Sequence, residues 1–395
     1  MFPSVALAWR MKSEDFLKNV GVLSDLKLRG GWGRTGNSAI APYKTEGALS
    51  IIQYVYGDAP ALGFSPLEMI NPSLTWETTG QFNAGIDFGL FNGRISGTMD
   101  VYQQNTYNLL LSRNLPTVSG FSSILSNVGR TSNEGIEAAI TTVNTTTRNF
   151  EWRTDWIFAT NRQKIVELYN GKVDDVGAKW FIGKPVNVFY DVTNAGIWQN
   201  TDADKGEIAK YNANGSTFKP GDIRPFDRNH DYKIDASDRY IIGQQDPKWT
   251  ASLGNNFRYK SFDASFLLYA MVGQTVYHDL DMRFDGRYNQ PKLDYWTPNN
   301  PAKKYPRPLL GTAGLNFISE LNYYSGSFMR MKNISVGYSL PPLMLKKTSL
   351  QRFRIYASVQ NPFVVTKFPG TDPEGATGFN EPSITTYLIG ANIIF

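Results

Sequence analysis

Residues 81–103 read QFNAGIDFGLFNGRISGTMDVYQ, and both halves alternate about a central Asn92-Gly93. In the first half Phe82, Ala84, Ile86, Phe88 and Leu90 share a face, opposite Asn83, Gly85, Asp87 and Gly89. In the second, Ile95, Gly97, Met99 and Val101 oppose Arg94, Ser96, Thr98 and Asp100. A period of two dictates strands, because successive side chains point to opposite faces. Asn-Gly supplies the two left-handed residues of a tight hairpin turn. Two long antiparallel strands therefore share one apolar and one polar face. A sheet on a soluble core has that pattern, and so does a barrel wall with lipid outside and water within. In the barrel reading Phe82, Ile86, Phe88, Leu90, Ile95, Met99, Val101, Phe262, Phe266 and Leu268 point outward. Asn83, Asp87, Arg94, Asp100, Asp263 and Ser265 then point to the lumen.

Composition narrows the choice. The 395 residues include no Cys, two His and 35 Gly, with 14% aromatic residues. Without Cys there are no disulfide staples and no thiolate metal sites. No run of about 18 apolar residues exists, which excludes a membrane helix. Met1-Phe2-Pro3 runs straight into the strand-like PSVALAWR without a signal-peptide pattern. The net charge is +5, with acidic and basic residues interspersed. No basic block stands out, so nucleic acid is not an expected partner.

Along the chain, Pro3–Arg10 reads as a strand, and Ser13 is placed as the N-cap of a short helix ending near Gly21. Further strands are expected over Leu26–Asn37, from Leu74 to Leu90, Ile95–Ser112, Asn127–Thr142 and Phe150–Thr160. A long irregular region, Asn161–Asp246, precedes a hairpin of Lys248–Tyr259 and Phe262–Met271 about Lys260-Ser261. Met329–Leu340, Arg352–Asn361 and Tyr387–Phe395 complete the set. Connections after the third, fifth, seventh and ninth strands are short or compact. Those after the second, sixth and eighth are long, and those after the fourth and tenth intermediate. Such sorting belongs to outer-membrane barrels, whose periplasmic turns are brief and external loops long. Trp9, Trp32, Trp76, Phe91, Trp152, Trp249 and Tyr338, near strand ends, suit interfacial girdles. The last strand alternates and stops on Phe395, an aromatic end placed as an assembly signal.

The blocks LKLRGGWGRTGN (26–37), NPSLTWETTGQFNAGIDFGLFNGRISGTMDVYQQNT (71–106), NVGRTSNEGIE (127–137), SGSFMRMKNISVGYSLP (325–341) and QNPFVVTKFPGTDPE (360–374) occur in this order. With the terminal Phe395, they resemble the carboxy-terminal barrel part of the SusC/RagA-type, TonB-linked outer-membrane proteins of Bacteroidetes. The resemblance implies an all-β, antiparallel transmembrane barrel segment with long extracellular loops, about half of a 22-stranded TonB-dependent transporter barrel. It implies import of an oligosaccharide or peptide across the outer membrane, with a SusD-like surface lipoprotein as lid. It also implies coupling to TonB–ExbB–ExbD through an N-terminal part. A plug domain, a TonB-contacting segment and the first half of the barrel are not represented in residues 1–395. An open sheet edge cannot face lipid unpaired, so the expectation is a fragment of a longer protein.

One motif in the longest loop suggests a metal. Over residues 227–238, Asp227, Asn229, Asp231, Asp235 and Asp238 fall at positions 1, 3, 5, 9 and 12 of a twelve-residue calcium loop. The Lys233 carbonyl would serve position 7, and Ca²⁺ suits such hard oxygen donors. Tyr232 stands where the motif has Gly, and Asp238 is shorter than the usual Glu. A solvated acidic turn, with Arg228 and Arg239 as neutralisers, is the other reading. Trp180, Trp198 and Trp296 lie in long loops and are candidates to stack on a sugar ring, or else to anchor those loops. His230 and His278 lack partners at ligand spacing, and no nucleophile elbow or phosphate loop occurs, so no catalysis is expected. The competing readings are a secreted soluble all-β glycan-binding module with a calcium-stabilised loop, and a secreted glycan-degrading enzyme.

Overall fold

The computed structural model describes residues 1–38, 40, 43–278, 293–308, 317–346, 349–374 and 383–395. Eleven long strands carry the architecture: β1 (Ser4–Trp9), β2 (Leu23–Asn37), β3 (Glu77–Leu90), β4 (Ile95–Tyr107), β5 (Arg130–Thr146), β6 (Phe150–Glu167), β7 (Trp249–Tyr259), β8 (Phe262–Val272), β9 (Phe328–Ser339), β10 (Arg352–Thr366) and β11 (Thr386–Ile394). They pair antiparallel in chain order within one sheet. No described helix is long and apolar enough to cross a membrane. The chain divides into two compact units, Met1–Val143 with Asp155–Val186, and Asn144–Thr154 with Asn187–Phe395.

Register follows the alternation in each unit. In unit one Leu28 opposes Ile86, Ile86 opposes Met99, and Met99 opposes Ala138. On the other face Lys27 opposes Asp87, Asp87 opposes Thr98, and Asp100 opposes Glu137. In unit two the row Phe266, Ile334, Val359, Tyr387 is apolar, and the row Asn256, Ser265, Ser335, Ser358 is polar. Directly opposed residues share a face, so the expected sorting holds along these strands. Arg94 is the exception: it lies in the turn, and its Nε donates to the Val143 carbonyl at 3.3 Å.

The apolar face is open. Phe82 is 53% exposed, Val101 46%, Val336 52% and Ile389 83%. Among the described residues, only Ile165 and Phe328 of the buried apolar side chains belong to long strands. The core lies instead in the connections, which corrects the soluble-module reading: a soluble sheet buries its apolar face.

Several local expectations change. The β3–β4 turn spans four residues, with Phe91, Asn92 and Gly93 all left-handed at φ 54°, 58° and 80°. Ser13 caps no helix; Met11–Ser13 is a single 3-10 turn. The Lys12 ammonium organises the following residues, donating to the Leu17, Lys18 and Val20 carbonyls at 3.1, 3.0 and 3.0 Å. β4 stops at Tyr107, and Leu110–Asn114 pairs separately with Ser123–Asn127. The connection before β3 holds a further hairpin, Leu49–Tyr56 with Ala59–Pro66.

The alternation of connection lengths is stricter than expected. Residues 10–22, 91–94, 147–149, 260–261 and 340–351 are the shorter links, and 38–76, 108–129, 168–248, 273–327 and 367–385 the long ones. The longest is not irregular throughout. It contains helix α1 (Asp202–Ala213), capped by Thr201, whose hydroxyl accepts from the Asp204 N–H at 3.2 Å. Asp202 and Asp204 favour its N-terminal end, and Gly215 at φ 95° follows its close.

Candidate functional site

The polar face of unit one is a charged surface built on strands. Arg29 on β2 grips Asp87 on β3, with Nε at 2.9 and 3.1 Å from its two oxygens, and reaches Asp100 on β4 through Nη2 at 3.0 Å. Lys27 approaches Asp87 at 3.4 Å. Gly85, between Arg29 and Asp100 in the ladder, is what admits this fork: a Cβ there would lie 2.8 Å from Arg29 Nη2. In unit two Arg354 holds Asp263 bidentately at 2.9 and 2.5 Å, and Arg258 pairs with Glu151 at 2.6 Å. Fixed, paired charge on one face fits a wall that borders water.

The connections after β6 and β8 fold together in unit two. Ile197, Ile223, Trp296 and Ala302 form one buried cluster, and Trp198, Ile208, Tyr211 and Phe218 a second. Phe317 packs against both. Residues about a hundred positions apart thus share a core. Trp198 is completely buried, with Arg224 over its ring at 4.4 Å, and Trp296 donates Nε1–H to Gln199 Oε1 at 3.0 Å. Their faces are occupied by protein, so the geometry favours the loop-anchoring reading for both. Trp180, in unit one, is half-buried and holds a two-way backbone pair with Asp175 at 2.9 Å. A cavity of about 320 Å³ opens beside the second cluster, lined by Glu207, Tyr211, Arg224, Phe226, His230 and Tyr232 among others.

The 227–238 segment closes on itself through backbone N–H groups. Asp227 accepts from His230 N at 2.7 Å, Tyr232 N at 2.9 Å and the Tyr211 hydroxyl at 3.0 Å. Asp238, wholly buried, accepts from Arg228 N and Asp235 N, both at 2.9 Å. Asn229 accepts from Asp231 N at 3.1 Å, and Asp231 from Lys233 N at 2.8 Å. Tyr232 does take the left-handed turn that position 6 needs, at φ 62°. The Lys233 ammonium pairs with Asp235 at 3.0 Å, and Arg228 sits over the Tyr240 ring. The Ser237 N–H, then Lys233, bring the Asp235 carboxyl down to about 2. Burial, then the bond to Asp227, pushes the Tyr211 hydroxyl up. Among the described residues no three Asp, Glu or His side chains converge as a metal cradle.

Sequence reasoning missed a second acidic locus. Glu320 follows the left-handed Phe317 in a 3-10 turn, Ile318–Asn322, and is 6% exposed. Burial, with the charge of Asp191 behind it, lifts its carboxyl to about 9. Tyr323 donates its hydroxyl to Asp191 at 3.0 Å. Nothing in the local sequence marks Glu320, because its partner lies over a hundred residues away.

An antiparallel sheet with an open apolar face, a charged opposite face and connections of alternating length defines a transmembrane β-barrel wall of the outer-membrane kind. The family model for the TonB dependent receptor-like β-barrel matches residues 1–361. The chain belongs to this family and is an outer-membrane protein. It is 33% identical to the TonB-dependent receptor SusC of Bacteroides thetaiotaomicron, over all of this chain and 40% of that protein. It is 32% identical to the TonB-dependent receptor P3 of Formosa agariphila, over all of this chain and 42% of that protein. The RagAB peptide importer in its open-open state superposes with a TM-score of 0.83 at 26% identity, over all of this chain and 42% of that one. The SusC/RagA resemblance therefore holds, and the chain spans about two fifths of the length of these relatives.

Proposed function

We propose that this chain forms wall and external loops of a SusC/RagA-type importer that moves an oligosaccharide or a peptide through the outer membrane. The observation that carries the reading is the pairing of an open apolar face with an opposite face whose Arg29, Asp87, Asp100, Arg354 and Asp263 are fixed in ion pairs. Such a face lets a hydrated, polar cargo pass without a desolvated charge in its way. The fold match to a peptide importer supports the peptide alternative; the oligosaccharide rests on the SusC/RagA resemblance of the sequence blocks. A SusD-like surface lipoprotein is the proposed lid over the loops, and TonB–ExbB–ExbD the proposed energy source. The test is uptake of labelled oligosaccharides and peptides by cells with and without the intact gene. Equal uptake of every cargo in the two strains would sink the proposal.

The 227–238 loop is proposed as a calcium site, with Asp227, Asn229, Asp231 and Asp238 around the ion, Asp235 adjacent or acting through water, and the Lys233 carbonyl at position 7. Its support is the left-handed Tyr232, which supplies the turn usually made by Gly. Calorimetric titration of calcium into the intact protein and its Asp231→Ala variant checks this; equal heats in the two would refute it. Trp180 remains the proposed aromatic contact for a cargo, and loss of affinity in Trp180→Ala is the expected readout.

A further inference from the structure

Within unit two, the connection after β8 buries oxygen atoms that lack the partners burial demands. Among the described residues, neither carboxylate oxygen of Glu320 meets a hydrogen-bond donor. Asn322, two residues on and 3% exposed, has an equally unpartnered Oδ1, while its Nδ2 donates to the Tyr277 hydroxyl at 2.9 Å. Asp191, at the end of the strand Val188–Asp191, is close enough for its charge to act on Glu320. It accepts from the Tyr323 hydroxyl on one oxygen and the Val192 N–H on the other, both at 3.0 Å. The geometry is held by pairing of Tyr323–Ser325 with Thr275–Tyr277, and by Tyr277 and Tyr323 rings 5.4 Å apart. An ionised, buried carboxylate with no donor is strongly disfavoured, and a second carboxylate beside it adds repulsion. Either a bound cation or a proton on Glu320 must neutralise it.

We propose that Glu320, Asp191 and the Asn322 amide oxygen hold a hard cation of the calcium class, which pins the two longest connections of the chain to each other. The donors are all oxygen, two of them carboxylates, without nitrogen or sulfur, which selects calcium over zinc or copper. The site is distinct in sequence from 227–238, and it joins two connections separated in the chain by the β7–β8 hairpin. The rival outcome is a proton on Glu320, donated to Asn322 Oδ1.

Calcium and terbium are the probes, applied to the intact protein in detergent after chelator treatment. Tyr277 and Tyr323 sit beside the site and sensitise terbium emission. An Asp231→Ala background removes any contribution from the 227–238 loop. In that background calcium should raise the unfolding temperature of the loops, and terbium should emit and be displaced by calcium. Glu320→Gln replaces the carboxylate with a neutral isostere and should abolish both effects while the metal-free protein melts as before. Glu320→Ala should lose both effects and also melt earlier. Emission that survives Glu320→Gln, or no calcium response in the Asp231→Ala protein, overturns the proposal; the latter with an unchanged Glu320→Gln melt points to the proton.

Discussion

Buried carboxylates here act as backbone organisers. Asp227 gathers two N–H groups and a hydroxyl at 2.7–3.0 Å, so Asp227→Ala leaves one buried hydroxyl and two part-buried N–H groups without an acceptor. The expected loss is about 1–3 kcal/mol of loop stability, chiefly from the orphaned Tyr211 hydroxyl. It should be seen in chelator as well as in calcium, as faster hydrogen exchange at His230 and Tyr232. Arg330 offers a pH test. Its buried guanidinium pairs with Asp372 and, at 3.5 Å, with Glu374. Burial alone would lift the Asp372 carboxyl, but Arg330 and the Glu374 N–H outweigh it and hold it below its ordinary 3.8. A lowered folded pKa contributes stability above the unfolded value that is lost as pH falls through the folded one. The tie between the 367–385 connection and β9 should therefore hold from neutral pH down to about pH 4 and loosen below it, read as protease sensitivity near Asp372. The spacing of acidic residues in 227–238 was legible; that they point at backbone N–H groups was not, since that depends on the left-handed His230 and Tyr232.

At the scale of elements, period-two alternation named the strands and their faces, and failed where a strand changes phase. Counting back from Val336 and Ile334 on the apolar face puts Lys332 and Arg330 there too. The structure shifts register between Met331 and Asn333, so Lys332 is absorbed in a bulge and Arg330 turns to the polar face. The signal was present as two charges on an apolar phase, and the facing Asn361-Pro362 accommodates it, with Asn361 at φ 50°. Helix α1 was missed although Thr201, Asp202, Asp204 and Asn214-Gly215 mark both its ends, because one short helix among Gly- and Asp-rich loops has no clear apolar stripe. Polar residues on the apolar face satisfy one another: Asn255 Oδ1 accepts from Trp152 Nε1 at 2.8 Å and the Thr154 hydroxyl at 2.7 Å, and Asn144 donates to that hydroxyl at 2.7 Å. Asn255→Ala strands two donors and should cost about 1–3 kcal/mol, measured by heat-modifiable gel mobility; an unchanged transition would show the trio to be dispensable.

For the whole molecule, the order of strands was legible because every long strand pairs with its chain neighbours. The two aromatic clusters were not, since contacts such as those around Trp198 and Trp296 join segments that no local pattern relates. Phe395 lies just beyond β11 and is 76% exposed. Phe395→Asp should lower outer-membrane insertion of the intact protein several-fold without changing its synthesis, by quantitative blotting of membrane fractions; normal insertion would remove its proposed role as an assembly signal. The short links at 91–94, 147–149 and 260–261 also bear on how such chains diversify. A crossover placed in one of them joins two hairpins without disturbing the facing of any side chain, because cross-strand pairing restores the phase on either side. Each hairpin then travels with the long connection at its far end, as a cassette. A chain joined in this way keeps the alternation of lipid-facing and water-facing positions while its long connections change.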